Sequence, residues 1–274
     1  MIIIFLIILL LLLILIYNKQ KIPNHIHFIF GLKKQNEDFL FTYYLSVLSA
    51  YIVNKPEKIY FYYHYLPKGK WWDRMKEKIP ILILEKVELP THIGNKVIKH
   101  YAHKSDKIRM EKLYERGGIY MDIDTISLRP YHGLLKYNTV LGYEIKKDNL
   151  ICNAIMLTKK KSAFFKLWLD NYIVNFNPEG WGEASIYLPG KLHKEYPHLA
   201  HVLEEDVFFR PYAYNGKDIF ENNKSLPPNL ITLHLWESFT KDYMKQIKDY
   251  KWILKNKHTL YSKIVSLNIK ECDI

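Results

Sequence analysis

The stretch of this chain best suited to chemistry is Asp122-Ile123-Asp124. In an extended backbone, residues two apart point to the same side, so the two carboxylates can converge on one object. Carboxylates that close repel, and they stay ionised together most readily with a cation between them. The hard divalent ions Mn²⁺ and Mg²⁺ suit such a pair, above all when a substrate phosphate completes the shell. On its own, an Asp-x-Asp is more often a solvated strand end or turn. Here it follows a longer arrangement that starts at His103: a helical pattern without Gly or Pro, then Gly117-Gly118, where positive φ is allowed, then Ile119-Tyr120-Met121 as a short buried strand. On that helix Asp106 and Arg109 are three apart and share a face, which makes them either a surface ion pair or two ligand-binding groups.

Other candidates lie in segments that must be brought to this point. Residues 25–30, His-Ile-His-Phe-Ile-Phe, read as a buried first strand containing His27 and Phe28. Asn153 interrupts an apolar run at residues 151–157 and has to find hydrogen-bond partners there. Residues 231–233 are strand-like and lead into His234 and Trp236, two apart and so on one side. Between these segments, helical spacing over residues 37–54 and 70–78 alternates with strand patterns at 59–65 and 81–84. Residues 139–143 and 151–157 read as two more strands around a polar turn, and 164–174 as an amphipathic helix. Residues 175–229 are loop-rich, and 242–267 form one or two basic amphipathic helices. The alternation predicts an α/β fold, a mostly parallel sheet flanked by helices, with ligands bound beyond the carboxyl ends of its strands.

The ordered set Ser105, Asp106, Arg109, Leu113, Tyr114, Gly117, Gly118, Ile119, Tyr120, Asp122 and Asp124 resembles the pattern of the DXD sugar-binding glycosyltransferases. That group includes initiating mannosyltransferases, lactosylceramide galactosyltransferases and relatives of the glucosylating bacterial toxins. The likeness runs through residues 22–240 and is dense from 105 to 124. It implies a GT-A, Rossmann-like mixed sheet and the transfer of a hexose from a UDP- or GDP-sugar to a glycan or glycolipid hydroxyl. It further implies retention of configuration by same-face attack, so no protein nucleophile is nominated. In this reading Mn²⁺ or Mg²⁺ is held by Asp124 and His234, with Asp122 reaching it through water. Ser105, Asp106, Arg109, Tyr120, Asp122 and Asn153 bind the donor, with Asp106 and Arg109 on the sugar hydroxyls. His27 and Phe28 help hold base and ribose, and Trp236 closes over the leaving group. Packing readings stand beside these: core aromatics and a satisfied histidine for His27, Phe28 and His234, and a strand-edge residue for Asn153. Trp181, Tyr187 and Tyr196 are either sugar-stacking or packed. The chain departs from the family pattern at Ser238-Phe239, where a Ser-Trp is usual, and at Tyr187-Leu188-Pro189-Gly190, which only loosely resembles its Thr-Gly-Pro turn.

The whole chain sets wider bounds. Its 274 residues suit one catalytic domain, and a net charge of +12 favours an anionic partner, a nucleotide diphosphate, a membrane surface or nucleic acid, without choosing among them; the resemblance makes nucleic acid the least expected. Two cysteines imply no disulfide framework. Residues 2–16 are an unbroken apolar run, expected to act as a single-pass membrane anchor within residues 1–18. Residues 19–274 then form the transferase domain, with a nucleotide-sugar half at about 22–160 and an acceptor-side part at about 161–274. The positive-inside rule puts that domain in the cytoplasm, whereas the resemblance puts it in the Golgi or ER lumen. Rival functions for the same residues are a membrane-tethered sugar- or nucleic-acid-binding module and a metal-dependent phosphotransferase or nuclease.

Overall fold

The computed structural model describes residues 21–274, so the apolar run expected to anchor the chain lies outside the described residues. Among the described residues no helix is long and apolar enough to cross a membrane. The described residues form eleven strands interspersed with helices: β1 (His25–Ile29), β2 (Lys58–Tyr63), β3 (Leu82–Lys86), β4 (His92–Ile93), β5 (Lys96–Val97), β6 (Gly118–Met121), β7 (Thr125–Ser127), β8 (Thr139–Ile145), β9 (Leu150–Thr158), β10 (His201–Leu203) and β11 (Thr232–His234). Seven of them form one sheet in the order β10-β8-β9-β6-β1-β2-β3. β1, β2, β3 and β6 run parallel, as do β8 and β10, while β9 lies antiparallel between β6 and β8. The small pairs β7–β11 and β4–β5 are both antiparallel.

The central strands are apolar on both faces because helices cover both. Ile26, Phe28, Ile119 and Met121 pack into one core and Tyr120, Met156 and Ile151 into the other. The Phe41–Asn54 helix lies in the first core, with Tyr43, Tyr44, Val47 and Leu48 buried. The Tyr101–Arg116 helix lies over the second through Ile108, Met110 and Leu113. The expected elements are present, with ends moved by a few residues. The loop-rich segment differs: Leu188-Pro189-Gly190 is no turn but the start of a helix, Leu188–Glu195, because proline is tolerated in a first helical turn. Residues 237–268 form three short helices, Glu237–Gln246, Tyr250–Lys255 and Leu260–Asn268.

The step from helix to β6 is what aims the Asp pair. Gly117 ends the helix at φ 69°, its N–H bonding Leu113 O at 2.8 Å, and Gly118 starts β6 at φ 118°. A Cβ on Gly118 would stand 2.6 Å from both His25 O and His27 Nε2. Steric room and backbone conformation therefore both require glycine. Gly118→Ala is expected to lower unfolding stability by about 3 kcal/mol. Gly133→Ala, at a position with nothing within 4 Å, should stay within ~0.5 kcal/mol. Equal denaturation midpoints for the two variants would refute the packing argument.

Candidate functional site

The Asp pair sits where β6 leaves the sheet. Asp122 N–H still bonds Ala154 O of β9 at 2.8 Å, and Thr125 Oγ1 donates to Asp122 O at 2.8 Å, closing a turn into β7. β7 pairs with β11, whose register sets His234 opposite Thr125, and Leu235 N–H bonds Asp124 O at 2.7 Å. Trp236, at φ 60°, turns the chain into the Glu237–Gln246 helix. The first N–H of that helix, Glu237, donates to Asp124 Oδ2 at 2.6 Å. An anion at a helix N-terminus meets both a free amide and the positive end of the helix dipole. His234 Nε2 lies 3.4 Å from the same carboxylate oxygen.

One ligand atom each from Asp122, Asp124 and His234 lies within 4.8 Å of the others. Two carboxylate oxygens and an imidazole nitrogen are a donor set that fits a hard divalent cation. His234 Nδ1 is buried without a hydrogen-bond partner, so the ring is not tied into the core as a satisfied histidine would be. Charge is distributed to match. Burial works against a charged His234, yet the Asp124 carboxylate holds its pKa above the ordinary histidine value. Burial likewise opposes ionisation of Asp124, but the His234 charge and the Glu237 amide bring it below the usual carboxylate range. Asp122 goes the other way, raised by burial and by the neighbouring Asp124, with Arg109 acting against the rise.

On the opposite face of β9, the Tyr101–Arg116 helix contributes a closed polar network. Arg109 Nη1 lies 3.1 Å from Asp122 Oδ1 and donates to Asn153 O at 3.0 Å, and Nη2 donates to Ser105 Oγ at 3.0 Å. Its guanidinium lies 4.5 Å above the Tyr120 ring, and Tyr120 donates its hydroxyl to Asp122 Oδ1 at 2.5 Å. Asn153 Nδ2 donates to Asp106 Oδ1 at 2.8 Å, and Tyr172 reaches Asp106 Oδ2 at 3.3 Å. Burial disfavours the Arg109 charge, but Asp122 and Asp106 more than offset it, so the group stays charged. This is no exposed helix-surface pair: Asp106 and Arg109 side chains are 7% and 8% exposed. Asn153 is likewise no loose strand edge.

Thus Ser105, Asp106, Arg109, Tyr120, Asp122, Asp124, Asn153, His234 and Trp236 come together, while His27 and Phe28 do not. Phe28 is fully buried in the core. His27 Nδ1 is bonded to Tyr62 Oη and Nε2 to Gly117 O, both at 2.9 Å, and the ring packs beside those of Tyr60 and Tyr62, nearly parallel to both. Its side chain supports the Gly117 turn and has no free nitrogen for a ligand, a correction to the base-and-ribose expectation for both residues. Trp236 donates Nε1–H to Pro211 O at 3.0 Å and its ring centre lies 4.1 Å from that of His234. Three features escaped sequence reasoning: the Glu237 amide on Asp124, Tyr172 on Asp106, and Glu144, a buried carboxylate bonded by the Tyr212 hydroxyl at 3.1 Å. The available signal for Glu144 was a charge inside an apolar strand, one residue past that strand's expected end.

A mostly parallel sheet carries paired carboxylates beyond the end of a central strand, beside a buried arginine network. Residues 25–142 match the family described as the glycosyltransferase sugar-binding region containing the DXD motif. The chain is 34% identical over 244 residues to glucan organizing enzyme 1 of Cryptococcus neoformans var. grubii, covering 82% of this chain and 65% of the relative. It is 30% identical over 92 residues to lactosylceramide 4-alpha-galactosyltransferase of Mus musculus, covering 34% of this chain and 24% of that one. The chain therefore spans less than two thirds of either relative. Among solved structures, the apo-form glycosyltransferase GlyE of Streptococcus pneumoniae shares the fold, with a TM-score of 0.50 and 15% identity over 89% of this chain and 64% of that one.

Burial pushes the His27 pKa down to about 3, so the folded protein keeps this ring neutral. An unfolded chain protonates it near 6.5 and so binds more protons throughout the interval between. Stability is therefore lost as pH falls from about 6.5 towards 3, by up to ~1.4 kcal/mol per pH unit. Urea unfolding of His27→Gln at pH 7 and pH 5 should show a shallower pH slope than the parent. An identical slope in both proteins would show that His27 is not the group responsible.

Proposed function

We propose that this chain is a metal-dependent glycosyltransferase that moves a hexose from a nucleotide diphosphate sugar to a glycan or glycolipid hydroxyl, with retention of configuration. The observation that carries the reading is the meeting of the Asp122–Asp124 pair with His234 from a distant segment, one network away from Arg109 and Asp106. Asp124 and His234 would hold Mn²⁺ or Mg²⁺, with Asp122 beside them. A divalent ion in such a site supplies positive charge against the diphosphate that leaves. Arg109, Asp106 and Asn153, already fixed by one another, would accept and donate hydrogen bonds to the sugar hydroxyls and hold the ring in one orientation. Tyr120 and Ser105 keep the guanidinium plane in place. Trp236, packed on His234, would exclude water from the leaving group's side.

The likeness to a glucan organizing enzyme and to a lactosylceramide galactosyltransferase supports a carbohydrate or glycolipid acceptor. Residues 1–18 would anchor the protein as a single membrane pass, with residues 19–274 as the transferase domain. The test is release of nucleotide diphosphate from UDP-glucose, UDP-galactose, UDP-N-acetylglucosamine and GDP-mannose in the presence of Mn²⁺. One donor should be turned over, and Asp124→Asn should lower that rate by about 100-fold or more. Donors left intact while DNA or RNA is cut would favour the nuclease reading. Turnover that survives both Asp124→Asn and chelator would remove the metal from the proposal.

A further inference from the structure

A file of aromatic rings leads outward from His234. Ring centres are separated by 4.1 Å from His234 to Trp236, 5.5 Å from Trp236 to Tyr212, 5.7 Å from Tyr212 to Tyr214 and 4.9 Å from Tyr214 to Phe239. Trp236 and Tyr212 have polar partners, Pro211 O and Glu144. The outer two rings meet edge to face and stand in water, Tyr214 74% and Phe239 55% exposed. Adjacent large rings left bare at a site's mouth mark a surface that a ligand covers. Phe239 lies two residues beyond the Glu237 amide that holds Asp124, so this pair is at that mouth.

Glu144 joins the same file at Tyr212, its middle ring. It is 9% exposed, accepts from the Tyr212 hydroxyl at 3.1 Å, and contacts the Cys152 thiol. An ionised carboxylate accepts several hydrogen bonds, and these two partners do not exhaust it. The strand register separates this group from the donor side. Successive residues of β9 point to opposite faces: Asn153 meets Asp106 and Arg109, whereas Cys152 meets Glu144. Asp122 and Asp124 stand between the two. One face of the sheet therefore holds the network suited to the donor sugar, and the other holds a buried carboxylate leading to bare aromatic rings.

The geometry points to an acceptor subsite for an uncharged pyranoside, an assignment that rests on the glycosyltransferase reading. Tyr214 offers a ring face to the C–H face of the sugar, with Phe239, set edge to face against it, as an apolar side wall. Glu144 is a positioning residue that accepts a hydrogen bond from the acceptor hydroxyl and turns it toward the centre between Asp122 and His234. Trp181 and Tyr187 are exposed as well, at 63% and 59%, but Trp181 packs with His100 and His103, away from this file.

The experiment uses the full chain in a non-glycosidic detergent, with ¹³C-labelled tyrosine rings and the Tyr214 signal assigned by difference with Tyr214→Phe. The probes are methyl β-D-glucopyranoside, methyl β-D-galactopyranoside and methyl α-D-mannopyranoside. At least one should shift the Tyr214 signal saturably. In transfer assays with that glycoside, Tyr214→Ala and Phe239→Ala should each raise its half-saturating concentration about ten-fold. A fold defect lowers turnover without moving that concentration. Glu144→Gln should reduce transfer to the glycoside more than transfer to water, whereas a purely structural role reduces both alike. A Tyr214 signal unmoved by all three glycosides, or an unchanged half-saturation in both alanine variants, overturns the subsite. If glycosides shift Tyr214 while no donor is ever turned over, the subsite stands and the transferase reading falls.

Discussion

Asp124 is a buried carboxylate, and the surrounding structure is arranged to keep it charged. An uncompensated buried charge costs several kcal/mol, so its partners have to be present together. They come from far along the chain: the His234 imidazole at the end of β11 and the Glu237 amide at the start of a helix. The β7–β11 pairing exists next to this residue and carries those groups to it. Tyr43, from the first long helix, donates to Glu237 Oε1 at 2.6 Å and ties the same helix start to the main core. A site assembled this way is also a folding constraint, because the C-terminal third cannot slip in register without leaving Asp124 uncompensated.

The buried arginine follows the same logic on the other face. Arg109 is offset by Asp122 and Asp106, Asn153 and Ser105 accept from its two terminal nitrogens, and Tyr120 covers its flat face. A guanidinium suits this place because its planar fork meets several acceptors at fixed angles, which an ammonium cannot. Asp122 belongs to both systems, bonded to the arginine network on one side and placed with Asp124 and His234 on the other. It is the joint through which the position of a sugar bound on Arg109 would be tied to the position of a cation.

Legibility in the sequence was uneven along the chain, for physical reasons. The helix–Gly-Gly–strand–Asp-x-Asp run was readable because its geometry is local: positive φ at Gly117 and Gly118, then alternation along a short strand. Apolar runs at β1, β2, β8 and β9 identified a sheet buried on both faces, and the element order identified it as mostly parallel. His27 and Phe28 were misplaced because period-two alternation tells which residues share a face but not what lies above it. The Leu188 helix was missed because Pro-Gly is a turn signal whose alternative, a proline in a first helical turn, is settled by packing.

The sequence by itself determined the α/β class and the Asp pair with Arg109 and Asp106 on the preceding helix, since all of these depend on spacings of a few residues. Tertiary structure decided the rest of the site. His234 meets Asp124, 110 positions away, only through the β7–β11 register, and the Glu237 amide becomes a ligand-like donor only because a helix begins there. Glu144 and the Tyr212–Tyr214–Phe239 file acquire meaning from which face of the sheet they occupy. Those relations depend on strand order and on the burial of charge, two properties of the folded chain that no short-range pattern encodes.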